Sequence, residues 1–561
     1  MKGSIEERQK ELSRLYPHWQ QRTIWEAFEH TAAQVPQHTF LIVEGQGSFT
    51  YEHIRQLALK TARSLWALGV RPGDHVALQA SNGFRQIAAA LALAALRAVK
   101  IPVNTQLKAK ELAYVLEQSD STYFITDRAP LPDTECKLPQ MKQIISLDTT
   151  ETVYEPAVSW SKMLKAGQDV AFVPDGPGHA AEPSDIIYTS GSTSAPKGVV
   201  LTHDMLLRSA YASCLSRGFE LGRKVFVPLP LFHVYGYVEG MLTTILAQGT
   251  LLVRRGKFQP GPILDFMQQT KANDILAVPT QMISLIRYLR EHPVQLPHLH
   301  AVYCSASVCP AWVWPGIRQT LQVSDVITGY GMSEVCGAST QTAPTDTDEV
   351  LETRVGRLLP AGCAGSPEYH GQMIEYRVVS GETGEPAAPG EPGELWCRGS
   401  VVTKGYYNRP AVNAQAFTQD GWFRTGDCGF FDERGYLCLA GRVDDMYKIN
   451  GENVSPKFIE DCMCDCPVIV QIQVIGLPDE THGFVGVAFV QLTQDTPQNR
   501  QIVETYSKEH LACFQIPKYF AYVTEEQWPQ TPTGKVKKTI LRKTAIEMFG
   551  IKQPEHPKGG C

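Results

Sequence analysis

Short runs of β-branched and aromatic residues alternate along this sequence with longer segments of helical character, and this alternation constrains the fold more than any other feature. The runs lie at residues 40–43, 75–78, 101–103, 122–126, 251–253 and 274–278. Strands of this kind that alternate with helices indicate an α/β fold with largely parallel sheets. The sequence therefore predicts layered sheets and helices.

The chain is long enough to divide into two or three packed units, since it has 561 residues. Residues 365–399 are rich in Gly and Pro and punctuated by turns, which predicts a small antiparallel unit. After residues 441–445 a new pattern begins, with a helix near 456–464, strands at 468–475 and 485–492, and another helix. We predict a large domain at residues 1–443 and a small, mobile α+β domain at residues 444–561.

Composition excludes several classes of protein. The formal net charge is −6 and no block of like charges occurs, so a nucleic-acid partner is not indicated. Residues 87–99 are the most apolar helical stretch, but they fall short of the ~20 residues that a membrane crossing needs, and we predict a buried core helix there. The first eight residues lack an apolar signal core, so the cytoplasm is the expected location.

Residues 188–198 combine two glycines, a run of small hydroxyl residues and one lysine, between two apolar runs. Backbone N–H groups and hydroxyls of such a loop can approach an anion, and the lysine adds positive charge. The loop differs from the nucleotide-binding G-x-x-x-x-G-K-[ST] pattern, because Lys197 stands six residues after Gly191 and is followed by Gly198. The predicted phosphate contacts are Thr189, Ser190, Gly191, Ser192, Thr193 and Lys197.

This segment resembles the signature loop of the adenylate-forming superfamily, which includes acyl-CoA synthetases, peptide-synthetase adenylation domains and beetle luciferases. The resemblance extends from about Thr23 to Arg542 and is nearest to the acyl-CoA synthetases. One departure is Ser194, where most similar loops have Gly. The added Cβ would stiffen the loop or shift its turn.

The motif at residues 329–334 resembles the superfamily segment that holds adenine and a metal ion. The resemblance implies that Tyr330 stacks on adenine and that Glu334 binds Mg²⁺, a hard cation that prefers carboxylate oxygens. Thr193 is the second expected metal contact, on the phosphate side. The resemblance adds the neighbouring nucleotide contacts Gly331, Met332 and Ser333.

Two further motifs of the superfamily follow in the same order. The Asp427 carboxylate, within residues 422–427, is expected to accept hydrogen bonds from the ribose hydroxyls. The resemblance makes Arg442 a second ribose or phosphate contact, and Asp444 the hinge between the two domains.

Residues 532–538 resemble the loop that carries the superfamily's catalytic lysine. Joining a carboxylate to the α-phosphate of ATP brings two anions together, so a mobile cation that bridges both is needed in the transition state. Lys535 is the predicted catalytic cation.

Residues 228–236 resemble the segment that gates the acid-binding tunnel, with His233 facing the incoming carboxylate. Amino-acid-activating relatives have an Asp in this segment where this chain has Val234, so a non-amino acid is expected, with Glu239 as the one nearby carboxylate that could change this interpretation. Residues 303–307 replace a Gly-rich wall by bulkier residues, which favours a short, medium or aromatic acid. Ser305 in this wall is a predicted nucleotide contact.

Residues 446–454 resemble the loop that enters the site for thioester formation. Gly451 would leave room for a pantetheine arm, and Lys448 is a candidate catalytic residue. Coenzyme A and a carrier protein present the same arm, so this loop does not separate the two acceptors. Residues 361–371 are additional to the usual pattern, and the sequence offers a plain loop or a partner contact as alternatives.

The resemblance implies an ATP-dependent acid-thiol ligase. It would convert a small carboxylic acid and ATP to acyl-AMP and pyrophosphate, and then transfer the acyl group to a thiol, with ATP, Mg²⁺ and coenzyme A, or a phosphopantetheine thiol, as cofactors. The alternatives are loading of a carrier protein, a luciferase-like mono-oxygenase that adenylates and then oxidises, and a degenerate nucleotide-binding module.

Overall fold

The structure of the protein is a computed structural model. It describes residues 3–127, 140–147, 157–189, 196–307, 309–381, 383–449, 452–479, 482–530 and 536–550.

The strands of the described residues form five sheets. In chain order they are β1 Thr39–Val43, β2 Gly47–Thr50, β3 His75–Gln79, β4 Val99–Pro102, β5 Tyr123–Thr126, β6 Gln143–Ser146, β7 Ala157–Ser159, β8 Pro183–Thr189, β9 Lys197–Thr202, β10 Lys224–Val227, β11 Thr250–Val253, β12 Asp274–Ala277, β13 Ala301–Cys304, β14 Asp325–Ile327, β15 Gly329–Met332, β16 Gly337–Gln341, β17 Arg357–Leu358, β18 Ile374–Val379, β19 Gly393–Gly399, β20 Phe423–Phe431, β21 Leu437–Arg442, β22 Tyr447–Ile449, β23 Glu452–Val454, β24 Ile469–Asp479, β25 Gly483–Leu492 and β26 Tyr519–Tyr522.

Helices connect most of these strands. They are α1 Ile5–Leu15, α2 Ile24–Gln34, α3 Tyr51–Ala67, α4 Phe84–Ala95, α5 Ala109–Gln118, α6 Trp160–Ala166, α7 His203–Ser216, α8 Val234–Gly236, α9 Thr243–Leu246, α10 Pro260–Thr270, α11 Pro279–Glu291, α12 Val313–Leu321, α13 Asp348–Thr353, α14 Pro410–Ala416, α15 Pro456–Cys464, α16 Pro497–His510 and α17 Lys538–Phe549. A π-helical segment, Tyr237–Leu242, joins α8 to α9.

Two seven-stranded sheets form the large part of the molecule, in the orders β14-β13-β12-β10-β11-β1-β2 and β7-β6-β5-β3-β4-β8-β9. In each sheet all neighbours are parallel except the last pair, β1–β2 in one and β8–β9 in the other. All six predicted strands lie in these two sheets. The predicted α/β class with layered sheets is therefore confirmed.

Local sequence explains where the helices begin. Thr23 caps α2 by accepting a hydrogen bond from the N–H of Glu26, whose side chain bonds back to the N–H of Thr23. The helix predicted at residues 87–99 is present as α4, but it ends at Ala95, and Val99 begins strand β4 instead. A run of apolar residues alone does not separate a buried helix from the buried strand that follows it.

The antiparallel unit is larger than predicted. A four-stranded sheet, β18-β19-β20-β21, runs from Ile374 to Arg442, whereas the sequence pattern indicated residues 365–399. The first part of the predicted range holds two short 3₁₀ turns, Gly362–Ala364 and Pro367–Tyr369. The connections between β18, β19 and β20 are long, so the local pattern of turns does not indicate that the later strands belong to the same sheet.

The C-terminal residues form a five-stranded sheet, in which the order is β23-β22-β25-β24 and β26 also pairs with β25. Helix α15 has the bounds that the sequence predicts. The sheet takes no strand from before Tyr447 in the described residues, which supports a separate unit. The domain division at residues 443 and 444 stays a prediction.

No helix in the described residues combines the length and the apolar character that a membrane span requires. The cytoplasmic location stays a prediction.

Candidate active site

The predicted phosphate loop begins and ends on one antiparallel strand pair. Thr189 at the end of β8 and Lys197 at the start of β9 are register partners, and the Thr189 hydroxyl donates to the Lys197 carbonyl at 3.5 Å. The Lys197 Nζ lies 5.3 Å from the centroid of the Tyr406 ring. The predicted contacts Ser190, Gly191, Ser192 and Thr193, with Ser194, lie outside the described residues.

The predicted adenine motif forms a tight hairpin of β15 and β16. A Cβ on Gly331 would lie 1.8 Å from the carbonyl oxygen of Gly337, so this position requires glycine for the two strands to approach. Tyr330, directly before it, is 8% exposed. The close pairing holds the tyrosine on a rigid strand.

Three residues predicted separately as nucleotide contacts meet beside this hairpin. The Tyr330 hydroxyl donates to Asp427 Oδ2 at 2.7 Å, and Arg442 Nε lies 3.7 Å from Asp427 Oδ1. Asp427 and Arg442 are register partners on β20 and β21. Burial, followed by the nearby Asp427 charge, raises the pKa of the Tyr330 phenol, which keeps it protonated as a donor. We call Tyr330, Asp427 and Arg442 the nucleoside corner.

Glu334, the predicted metal ligand, lies in the turn after β15. Its Oε1 accepts a hydrogen bond from the Tyr406 hydroxyl at 2.8 Å, and burial raises the pKa of its carboxyl group. A carboxylate oxygen suits Mg²⁺, and Mg²⁺ commonly binds through one or two carboxylates together with substrate phosphates. The donor chemistry of Glu334 therefore fits this ion.

The predicted acid-binding segment packs against the predicted wall through two tyrosines. The Tyr235 and Tyr303 rings meet edge to face, with centroids 5.2 Å apart and an interplanar angle of 79°. The Tyr235 hydroxyl donates to the carbonyls of Ala277 at 3.1 Å and Tyr303 at 2.7 Å. Both side chains are buried, so this wall has little freedom to move.

Glu239 lies on the π-helical segment that follows α8 and is 1% exposed. Its Oε1 accepts from the N–H of Ala338 at 3.1 Å, while its Oε2 accepts from the Ser213 hydroxyl and, at 3.3 Å, from the Gln341 amide. Burial raises the pKa of this carboxyl group. Both oxygens therefore already have protein donors.

The remaining predicted residues lie in different places. His233 accepts the N–H of Tyr235 at 3.2 Å at the start of α8, and Ser305 donates to the Gly329 carbonyl at 2.7 Å beside the adenine hairpin. Met332 is half-buried and Ser333 buried in the same hairpin and turn, whereas Lys448 is exposed on β22. Gly451 and Lys535 lie outside the described residues. The role of each of these residues stays a prediction.

The sequence interpretation missed Tyr406, which contacts both Glu334 and Lys197. The only local signal is a pair of tyrosines, Tyr406 and Tyr407, after a Lys-Gly turn. That pattern does not say which hydroxyl points to the site.

A model of the AMP-binding enzyme family matches residues 28–407. The chain belongs to the AMP-binding enzyme family. A model of the C-terminal domain of AMP-binding enzymes matches residues 459–535.

Relatives of this AMP-binding enzyme include the long-chain-fatty-acid–CoA ligase FadD13 of Mycobacterium tuberculosis, which is 31% identical over 502 residues, 88% of this chain and 92% of FadD13. The structure of ATP-bound MatB from Rhodopseudomonas palustris has a TM-score of 0.79 and 25% identity, over 94% of this chain and 100% of that chain. The anthranilate CoA ligase AuaEII in complex with anthranoyl-AMP has a TM-score of 0.85 and 22% identity, over 96% and 100% of the two chains, and this likeness shows the fold.

These comparisons confirm the predicted superfamily and the predicted class of enzyme, an AMP-forming acid-thiol ligase that uses ATP.

Proposed function

We propose that this AMP-binding enzyme activates a non-amino carboxylic acid and delivers its acyl group to coenzyme A. In the first step a carboxylate oxygen attacks the α-phosphorus of ATP and pyrophosphate leaves. In the second step the sulfur of the thiol attacks the acyl carbon, the thiol proton is released and AMP leaves. The meeting of Tyr330, Asp427 and Arg442 is the observation that carries this proposal.

The nucleoside corner supports ATP binding through complementary groups. Tyr330 would offer its ring to adenine, while Asp427 would accept hydrogen bonds from ribose hydroxyls and Arg442 would add positive charge near the sugar and phosphates. Thr189 and Lys197 stand at the edge where the predicted phosphate loop leaves and rejoins the sheet. Together these groups would contact the base, the sugar and the phosphates of a nucleotide.

Glu334, with Thr193, is the proposed Mg²⁺ contact. When bound there, Mg²⁺ would supply positive charge beside the phosphates of ATP. The Glu334 side chain would fix the position of these phosphates relative to Lys197.

Replacing Glu334 by Gln keeps the shape of the side chain and removes its charge. We expect acid-dependent pyrophosphate release to fall on the order of 10²-fold at limiting Mg²⁺ and to recover in part when Mg²⁺ is raised, because the lost carboxylate weakens metal binding. Glu349→Gln, an exposed glutamate on α13, is the matched control and should keep wild-type activity. Full activity of Glu334→Gln at low Mg²⁺ would contradict the metal role.

The acid is proposed to be short, medium-chain or aromatic. Val234 provides no carboxylate for an α-ammonium group, and both oxygens of Glu239 are already engaged by protein donors. The rigid Tyr235–Tyr303 wall supports a pocket of limited depth. The relatives are named for acids as different as a long-chain fatty acid and anthranilate, so the proposed class of acid rests on Val234, Glu239 and the tyrosine wall.

Ser307 lies at the end of the predicted wall and is exposed. Ser307→Gly should increase activity by about 10-fold with acids bulkier than the best wild-type substrate, which is the low end of the effect of one methylene in a hydrophobic pocket. Activity with small acids should change little. Ser48→Gly on edge strand β2 is the control. An unchanged ratio of kcat/KM between bulky and small acids would remove Ser307 from the pocket.

Two surfaces of the C-terminal residues would serve the two half-reactions. Lys535 is proposed to act in adenylation, while Lys448 and Gly451 belong to the loop that would face the thiol. The segment Val443–Asp445 is a single 3₁₀ turn, and Arg542 holds Asp445 at 3.1 Å. A turn about Asp444 would exchange the two surfaces.

A pyrophosphate-release screen over a panel of acids, with and without coenzyme A, tests the proposal. We expect release with a short, medium-chain or aromatic acid and formation of AMP and thioester only when coenzyme A is present. Thioester formation on a phosphopantetheinylated carrier protein but not on coenzyme A would identify the other acceptor. Oxygen consumption after adenylation would instead favour the mono-oxygenase alternative.

A further inference from the structure

Tyr406 connects two parts of the site that the sequence places far apart. It is 7% exposed and lies between β19 and α14. Its hydroxyl donates to Glu334 Oε1 at 2.8 Å, and Lys197 Nζ lies over its ring, 5.3 Å from the ring centroid. One side chain thus contacts the proposed metal ligand and the proposed phosphate-binding cation.

The backbone around Tyr406 joins the same two parts of the site. The N–H of Thr403 donates to the Glu334 carbonyl at 2.8 Å. The Thr403 hydroxyl donates to the Val200 carbonyl at 2.7 Å, and the N–H of Val200 donates to the Gly405 carbonyl at 3.2 Å. Strand β9, which follows the phosphate loop, is therefore tied to the turn that carries Glu334.

Asn413 fixes the direction of Tyr406. Its side-chain oxygen accepts the N–H of Tyr406 at 2.8 Å, and its amide donates to the Tyr406 carbonyl at 2.9 Å. Because both main-chain polar groups are held by one side chain, the Cα–Cβ bond of Tyr406 has a defined orientation. This fixed direction keeps the hydroxyl within hydrogen-bond reach of Glu334.

We infer that Tyr406 is a positioning residue for adenylation, which orients the Glu334 carboxylate and sets its distance from Lys197. The inference rests on the metal role proposed for Glu334. Hydrogen bonds from neighbouring groups orient ligating carboxylates, and their loss typically costs about 10–100-fold in metal affinity or activity. Tyr406 itself touches neither the acid nor the reacting atoms in this scheme.

The test is Tyr406→Phe, which removes the hydroxyl and keeps the ring over Lys197. The matched control is Tyr407→Phe, because the adjacent Tyr407 hydroxyl bonds to Asp120 at 2.9 Å on the exposed side of the chain. Mn²⁺ binding in the presence of ATP is measured from the electron paramagnetic resonance signal of free Mn²⁺. The Mg²⁺ dependence of pyrophosphate release is measured in parallel, and circular dichroism checks that each variant is folded.

We expect Tyr406→Phe to weaken Mn²⁺ binding about 10-fold and to raise the Mg²⁺ requirement by a similar factor, with activity restored at saturating Mg²⁺. Tyr407→Phe should match the wild type in both measurements. If Glu334→Gln weakens Mn²⁺ binding but Tyr406→Phe does not, the positioning role is wrong and the proposed function stands. If Glu334→Gln leaves Mn²⁺ binding unchanged, the metal role of Glu334 is wrong and the positioning inference falls with it.

Discussion

Lys535→Ala is expected to slow adenylation by roughly 10²–10³-fold, because a cation that stabilises charge in the transition state is worth about 3–4 kcal/mol. The effect should appear in kcat for pyrophosphate release more than in the KM for ATP, since the lysine would act while the acid oxygen joins the α-phosphate. Lys535 lies outside the described residues, and its role is proposed from the superfamily resemblance.

The second half-reaction separates a catalytic loss from a general defect. Chemically supplied acyl-AMP bypasses adenylation, so Lys535→Ala should still convert it to thioester at close to the wild-type rate. Lys537→Ala is the matched control, because this exposed lysine stands two residues further on and directly before α17. Equal loss of both half-reactions in folded Lys535→Ala would contradict the assignment of this lysine to adenylation alone.

The sequence predicted the strands of the two large sheets well because local composition determines them. The β-branched runs at residues 251–253 and 274–278 form β11 and β12 with bounds that differ by one residue. A buried parallel strand is apolar on both faces, so it leaves a continuous signal. The order of strands across a sheet, in contrast, depends on contacts that no local pattern records.

For the same reason, the sequence does not predict which way the side chains of the site point. Tyr406 and Tyr407 are neighbours of one residue type, yet their hydroxyls bond to Glu334 and Asp120, 72 and 287 residues away. Tyr406 makes an isolated bridge to Val199 and Tyr407 lies in the turn that follows, so no strand alternation fixes which of the two hydroxyls faces the site. Only the tertiary structure decides which one.

Buried charges were the other feature that the sequence did not predict, since charged residues are almost never fully buried unless they are paired. Three charged side chains are fully buried near the start of β12, those of Arg217, Arg223 and Asp274. Asp274 Oδ2 accepts from Arg217 Nη2 at 2.7 Å and from Arg223 Nη1 at 3.1 Å. Arg217 also donates to the Glu239 carbonyl at 2.8 Å, which connects this cluster to the π-helical segment Tyr237–Leu242, directly after the predicted acid-binding segment.

Asp274→Ala is therefore expected to destabilise the protein by about 3–5 kcal/mol, because it leaves two buried guanidinium groups without the carboxylate they share. The free energy of unfolding is measured from urea denaturation followed by tryptophan fluorescence. Asp265→Ala is the control, since this aspartate is exposed on the neighbouring helix α10 and should change stability by no more than about 0.5 kcal/mol. Glu220 Oε2 already accepts from Arg223 Nη2 at 2.7 Å. A loss below about 1 kcal/mol for Asp274→Ala would therefore show that Glu220 or water compensates the arginines, and that Asp274 does not stabilise the segment that carries Glu239.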